Sequence, residues 1–463
     1  MIRLLNAHFP ARTLFLGLSE VCLVVFVFVG AAVAHLGAAD AIVMLHDEQG
    51  LLKILVISAA FVTCMYYFDL YDSSIVSSPR GIPTRLIEVM GTVCVLLALL
   101  YYVYPSLALR REIFLIGASL VGLVLILWRR LFVAINSHSE LADRVLLFGD
   151  GPLSDPLVRE IETRPELGMR IVSQFVLPPD ELQHECGTLS QGADDLLGVV
   201  RTHRVNRILV ASGDRRGKLP VETLLVLKSQ GVRIEDAADV YEEMTGKVPI
   251  ESLRLGWLLF SPGFCVSRFL RSYKRMVSIL ISILGLLLTL ALVPFVMLAI
   301  KLTSEGPVFY KQKRVGLNGK VFECYKFRTM RADAEADSGP TWADDDDPRI
   351  THVGRFLRIS RLDEIPQLWN VLRGDMSLVG PRPERPEFAD WLRREIPHYQ
   401  LRQCIRPGIT GWAQIRFKYT SSVEDAKEKL RYDLFYVKNM SPGLDVLVFL
   451  QTIKVILLGR GAQ

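Results

Sequence analysis

The run ILISILGLLLTLALVPFVMLAI, residues 279–300, sets the topology of this chain. It reaches the roughly 20 apolar residues that a bilayer crossing needs. It also carries Pro294 and is basic on both sides, with Arg271, Lys274 and Arg275 before it and Lys301 after it. An ordinary bent span stays open, because proline is tolerated in membrane helices. A re-entrant helix, which bends and leaves by the face it entered, fits better. Pro294 removes a helix hydrogen bond where a bend is needed, and both basic flanks then stay on the cytoplasmic side.

Upstream, four apolar segments at about 13–37, 51–68, 86–104 and 113–133 each approach spanning length. Half of the 463 residues are hydrophobic and the mean hydropathy is +0.29, as expected of a membrane protein. A cleaved signal peptide fits poorly, since three further apolar segments follow the first. Arg3 and Arg12 precede the first segment, Arg80 and Arg85 lie between the second and third, and Arg129, Arg130 and Arg144 follow the fourth. The first loop is acidic, with Asp40, Asp47 and Glu48, so both ends of the bundle are expected in the cytoplasm. Arg110 and Arg111 in the third loop are discordant. Glu20 and Lys53 fall within or beside spans, where a helix–helix pair and a snorkelling lysine are the readings preferred over a functional one.

From Arg144 the texture turns to soluble α/β. RVLLFGDG reads as a strand entering a glycine turn, and strands IVSQFVL, RILVAS and VRIED alternate with helices near 156–163, 194–203 and 221–230. This spacing predicts a doubly wound parallel sheet. Gly149-Asp150-Gly151 is followed by Ser154 where a dinucleotide fingerprint wants Gly or Ala, so a structural or regulatory role is expected.

Downstream of Lys301 lies a polar, domain-sized segment. Residues 325–330, YKFRTM, alternate basic and apolar, as a strand with one face to a core and one to an anion does. Residues 360–386, SRLDEIPQLWNVLRGDMSLVGPRPERP, hold the adjacent acids Asp363 and Glu364, with Pro366 restricting Ile365. Neighbouring helical side chains point about 100° apart, so one carboxylate can face a phosphorus and the other a metal. Arg382 sits between two prolines on a stiff loop suited to gripping phosphate oxygens. RPGITGWAQ, residues 406–414, is a further turn-rich loop. Asp433 and Asp445 flank the aromatic pair Phe435 and Tyr436. The acidic run 344–347 reads as a solvated loop or as metal bait, and Trp369, Trp391 and Trp412 as core or as a lipid-interface seat.

Other classes are excluded by composition. A net charge of +5 with no basic stripe argues against nucleic acid. The seven cysteines include no CxxC and the eight histidines no HxxxH, so neither a disulfide framework nor a transition-metal site is indicated.

Together, GPVFYKQKRVG, YKFRTM, SRLDEIPQLWNVLRGDMSLVGPRPERP and RPGITGWAQ resemble, in order, the blocks of the bacterial sugar transferases, the polyprenyl-phosphate hexose-1-phosphate transferases. EMTGKVPIESLRLGW and GPRPERPEF look like the branch associated with exosortase-linked exopolysaccharide clusters. The resemblance implies that Asp363 attacks the sugar-bearing phosphorus of a UDP-sugar, giving a phosphosugar-aspartate and UMP, and that polyprenyl phosphate then takes the phosphosugar. It implies Mg²⁺ held by Glu364, with Asp433 and Asp445 as further acidic positions. It implies substrate contacts from Lys326, Arg328 and Arg382 and from Lys274 and Arg275. The family's Lys-Arg-x-x-Asp motif here ends in Ser278.

The expected fold is therefore a membrane α-helical bundle plus α/β. Residues 1–140 form four transmembrane helices, 141–262 a Rossmann-like cytoplasmic domain, and 263–463 a re-entrant helix with a catalytic α/β domain. The expected place is the bacterial inner membrane with the catalytic domain facing the cytoplasm, and the bundle and α/β domain are candidate homodimer surfaces. Two other readings compete. A glycosyltransferase moving only the sugar would release UDP, and a non-catalytic scaffold for polysaccharide assembly would release neither nucleotide.

Overall fold

The structure, a computed structural model, describes residues 2–4, 7–9, 11–71, 82–136, 142–164, 167–176, 191–211, 219–252, 263–264, 267–331, 347, 349–417 and 422–457. The chain forms two compact units, one chiefly Phe9–Val240 and the other chiefly Tyr241–Gln463.

In the first unit the helices Ala11–Leu36, Gly50–Tyr67, Ile82–Val103 and Arg111–Asn136 are long and apolar enough to cross a membrane. They match the four segments read from sequence, and the acidic first loop contains a short helix, Ala38–His46. Each turns a stripe inward at three- to four-residue spacing, as with Val24, Phe28 and Ala32, or Ile54, Ile57, Phe61 and Met65. Glu20 is the helix–helix partner anticipated above. Its carboxylate meets Arg129 of the fourth helix at 2.6 Å, both fully buried, and Arg129 also donates to the Leu70 carbonyl. Arg129, counted above as a cytoplasmic flank, therefore lies inside the bundle. Removing either partner would leave a buried uncompensated charge, at a cost of about 3–5 kcal/mol. Arg110 bonds Glu48 at 2.8 Å, so its discordant charge is answered by the acidic first loop.

Beyond the bundle, four parallel strands lie in the order Met169–Phe175, Asp143–Phe148, Arg207–Val210, Arg233–Asp236. The helices Ser154–Thr163, Gln191–Thr202 and Val221–Ser229 connect them. Val145, Leu146, Leu147 and Phe148 are all buried, as an inner parallel strand covered on both faces requires. Gly149 turns the chain out of that strand at φ +103°, and Ser154 and Gln174 both bond its carbonyl. Ser154 thus secures the turn that a glycine or alanine occupies in the nucleotide fingerprint.

In the second unit, residues 279–300 are not one helix. The helix Arg268–Thr289 ends in a turn at 290–292, and Val293–Thr303 follows with Pro294 in its first turn, where a missing N–H leaves no bond unmade. The break thus comes just before the proline. An antiparallel hairpin follows, Phe309–Val315 against Val321–Phe327, with Tyr310 opposite Lys326. Strands Ser377–Val379 and Gly408–Thr410 pair in parallel. Their approach demands glycine, since a Cβ on Gly408 would fall 2.1 Å from the Gly380 nitrogen. Residues 241–252, assigned above to the Rossmann-like domain, belong to this second unit. Trp412 donates to the Gly246 carbonyl at 2.9 Å, Arg431 pairs with Glu251, and Lys247 with Glu428. Trp412 is accordingly core, stacked on Phe435, whereas Trp369 is 57% exposed.

Candidate active site

Asp363 and Glu364 occupy a single 3₁₀ turn, Leu362–Glu364, and not the first turn of an α-helix. A 3₁₀ turn separates successive side chains by about 120°, so the expected division of directions survives. Arg361 enters the turn at φ +58°, and Ile365 is helical despite preceding Pro366. Leu362 and Ile365 pack against the core of Phe327, Leu357, Val296 and Ile300, which fixes the turn from below. Next comes the short helix Gln367–Arg373, closed by Gly374 at φ +101°. Its fully buried Asn370 donates to the Glu323 carbonyl at 2.6 Å and accepts from the Tyr325 N–H at 3.0 Å. That side chain locks the acidic turn in register with the strand carrying Lys326.

The result is a close ionic cluster. Glu364 Oε1 accepts from Lys326 Nζ at 2.8 Å and from Arg382 Nη2 at 3.0 Å. Burial opposes ionisation of Glu364, but Lys326, Arg382 and Arg361 outweigh it and hold the carboxyl well below the usual range. Asp363 differs. Burial pushes its carboxyl up, Lys326 opposes this, and the neighbouring Glu364 charge adds to it. Its Oδ1 is buried without a hydrogen-bond partner. Arg358, bonded to Thr329 Oγ1 at 3.0 Å, also acts on Asp363. Four cations thus bear on the two carboxylates, and Glu384 and Asp347 act in turn on Arg382 and Arg358.

The other residues singled out from sequence fall into different places. Arg328 is buried and donates to the carbonyl and hydroxyl of Ser304, with Nε and Nη1 unpartnered. Arg275 donates to the carbonyls of Val371 and Leu372 in the last turn of a helix, where intrahelical donors run out. Lys274 pairs with Asp445 at 2.8 Å and bonds Tyr436 and the Val379 carbonyl. Ser278 bonds Ser377 hydroxyl to hydroxyl at 3.2 Å, so a hydroxyl pins this helix where the family motif has a carboxylate. Asp433 is buried against Arg402 at 2.7 Å. Arg402 in turn donates to the Arg382 carbonyl, and Arg314 donates to that of Pro383. Asp433 and Asp445 therefore brace the loop and the helix near the site, each against a cation.

No group of three or more metal-ligand side chains converges among the described residues. Magnesium usually takes only one or two protein carboxylates and completes its shell with water and substrate phosphate. Glu364 fits that pattern, being ionised with both bonds on Oε1 and none on Oε2. Asp433 and Asp445 are paired likewise, with Arg402 and Lys274. In the acidic run, 344–346 lie outside the described residues and Asp347 is paired with Arg349. Sequence reasoning missed Arg358, Arg361 and Asn370. The two arginines lie within five residues of the acidic pair, and that proximity was the available signal.

Comparison with known proteins places these observations. Residues 269–459 match the family described as Bacterial sugar transferase, and 66–213 the family described as CoA-binding domain. The UDP-N-acetylgalactosamine-undecaprenyl-phosphate N-acetylgalactosaminephosphotransferase of Aeromonas hydrophila is 44% identical over 227 residues, 48% of this chain and 52% of that protein. The UDP-glucose:undecaprenyl-phosphate glucose-1-phosphate transferase of Xanthomonas campestris pv. campestris is 32% identical, over 63% of this chain and 62% of that protein. The Escherichia coli (strain K12) protein of the same description is 33% identical over 69% of each chain. The chain thus spans about half the length of the first of these relatives and 62% of the second.

Proposed function

The chain belongs to the bacterial sugar transferase family, and from that membership and the geometry of the acidic turn we propose that it moves a sugar 1-phosphate from a UDP-sugar to polyprenyl phosphate. The observation that carries this reading is Asp363, a buried carboxylate with an unpartnered oxygen inside a ring of cations. Its oxygen attacks the phosphorus bearing the sugar, the bond from that phosphorus to the bridging oxygen breaks, and UMP leaves with the electron pair. An oxygen of the lipid phosphate then attacks the same phosphorus and displaces Asp363. Lys326 and Arg382 hold Glu364 in place, and with Arg358 they offset the charge of the incoming diphosphate. A bound Mg²⁺ on Glu364 would neutralise charge on the phosphoryl group being transferred. Incubation with a panel of UDP-sugars and polyprenyl phosphate tests the reaction: UMP is expected, whereas UDP would mean transfer of the sugar alone.

The same reading includes the re-entrant helix. The apolar part of the first half, Met276 to Thr289, covers roughly 21 Å, and the 11-residue second half roughly 16 Å, each short of the ~30 Å core. Both flanks touch one folded body, Lys274 at Val379 and Ile300 in the cluster with Phe327. Cysteines placed at Phe269 and Leu302, both highly exposed, should label from the same, cytoplasmic face. Labelling from opposite faces would mean a straight crossing.

A further inference from the structure

Where the helix Arg268–Thr289 leaves the folded body, a cavity of about 490 Å³ opens between it and the loop carrying Arg406. Its polar end holds Arg271, Arg275 and Arg406, and its apolar side Met276, Ile279 and Leu280. None of the three arginines has a carboxylate partner among the described residues. Arg275 and Arg406 spend donors on the carbonyls of Val371, Leu372 and Gly374, and their like charges act on one another. Arg271 is exposed, and its side chain makes no hydrogen bond or ion pair among the described residues. Three crowded guanidiniums with no counter-charge form an anion site, and a guanidinium fork matches phosphate oxygens.

The apolar side continues past the cavity. Met276, Leu280, Ile283, Leu284 and Leu287 share one face and are 43–63% exposed. From Met276 to Leu287 that face covers roughly 17 Å, about one leaflet of a ~30 Å core. A phosphate site at the head of a leaflet-length apolar stripe fits a molecule with an anionic head and hydrocarbon chains.

We infer that this cavity binds the headgroup phosphate of an anionic bilayer phospholipid, whose chains lie along the exposed face of the helix. The inference rests on the reading that this helix enters the bilayer. The polyprenyl phosphate acceptor is the wrong occupant for geometric reasons. Arg275 and Arg406 grip the C-terminal end of the helix Gln367–Arg373, while Asp363 and Glu364 precede its N-terminal end. Seven helical residues separate the two ends by about 10 Å, too far for a phosphate in the cavity to attack a phosphorus on Asp363. The bound lipid instead shields the three arginines and seats the helix at a fixed depth.

Native mass spectrometry of the full chain in detergent, with equimolar phosphatidylglycerol and phosphatidylcholine of the same acyl chains, tests this. About tenfold preferential retention of phosphatidylglycerol is expected, falling by about tenfold in Arg271→Glu, since each basic group near an anionic surface contributes appreciably. Arg271→Gln, which only deletes an exposed and unpaired charge, should give an intermediate loss and controls for folding. Equal retention of both lipids, or retention unchanged in Arg271→Glu, overturns the proposal. So does one-for-one displacement of phosphatidylglycerol by polyprenyl phosphate. The readout is lipid binding and the topology labelling is separate, so failure here leaves the re-entrant reading and the transfer reaction to stand or fall on their own tests.

Discussion

Asp363–Glu364 and Glu384–Asp433 are two carboxylate pairs of one folded unit, both largely buried and both faced by arginine and lysine. In the second pair each acid has its own cation: Lys429 at 2.5 Å on Glu384, and Arg402 at 2.7 Å on Asp433. Arg402 passes that order on by holding the Arg382 carbonyl. In the first pair only Glu364 is neutralised, and Asp363 keeps a buried oxygen with nothing to accept from. Burial and charge are common to both pairs, so neither marks chemistry. Asp433 Oδ2 also lacks a hydrogen bond, but Arg402 lies 2.7 Å from it, whereas Asp363 has no ion pair among the described residues, and that missing counter-charge sets it apart.

Substitutions should separate the pairs. The largest effect is expected at Asp363. Asp363→Asn is nearly isosteric and removes the attacking charge, so UMP release should fall by about a thousandfold or more while thermal stability holds or rises. Asp433→Asn should do the reverse. It leaves the buried Arg402 with only the longer 3.8 Å contact to Glu384 as counter-charge and should cost about 3 kcal/mol in thermal or denaturant unfolding, with activity per folded molecule largely kept. Full activity loss in a stable Asp433→Asn protein would move that acid into the chemistry.

Arg382→Lys keeps the charge and loses the fork, and about a tenfold drop in turnover is expected, or about 1.4 kcal/mol. Unchanged kinetics would make Arg382 a loop residue only. The smallest effect concerns acid stability. Burial works against ionisation of Glu384, but Lys429, Arg402 and Arg314 push its carboxyl down to about 2, from an ordinary 4.5. A depressed folded value means that the contribution is complete above 4.5 and is lost as pH falls towards 2. Melting temperatures recorded from pH 5 to 3 should drop, and Glu384→Gln should flatten that slope.

Much of this was legible in the chain. Apolar runs located the four long helices, and alternating strands and helices gave the parallel sheet. The SRLDEIPQLWNVLRGD stretch gave the acidic turn with Lys326 and Arg382 around it. Harder to read was which like residue does what. Lys274 and Arg275 are neighbours beside a membrane helix, yet their partners differ and lie 96 to 171 residues away, at Val371, Leu372, Val379, Tyr436 and Asp445. Asp433 and Asp445, acidic positions in the sequence, each have a cation against them, Arg402 and Lys274. Pairing of this kind is a tertiary property, and local patterns do not contain it. The division after Val240 was equally hidden, because 241–252 have no compositional edge and are held to the second unit by Trp412, Glu428 and Arg431.

The central claim is that Asp363 becomes covalently phosphorylated by the sugar phosphate, and it is open to a direct measurement. The purified chain should be mixed with UDP-sugar and Mg²⁺ in the absence of any lipid acceptor. The account predicts a single burst of UMP, stoichiometric with protein, and a phosphosugar adduct that peptide mass spectrometry places on Asp363 and that is absent from Asp363→Asn. An adduct on Glu364, or UMP formed only when lipid phosphate is present and with no adduct at all, would contradict it.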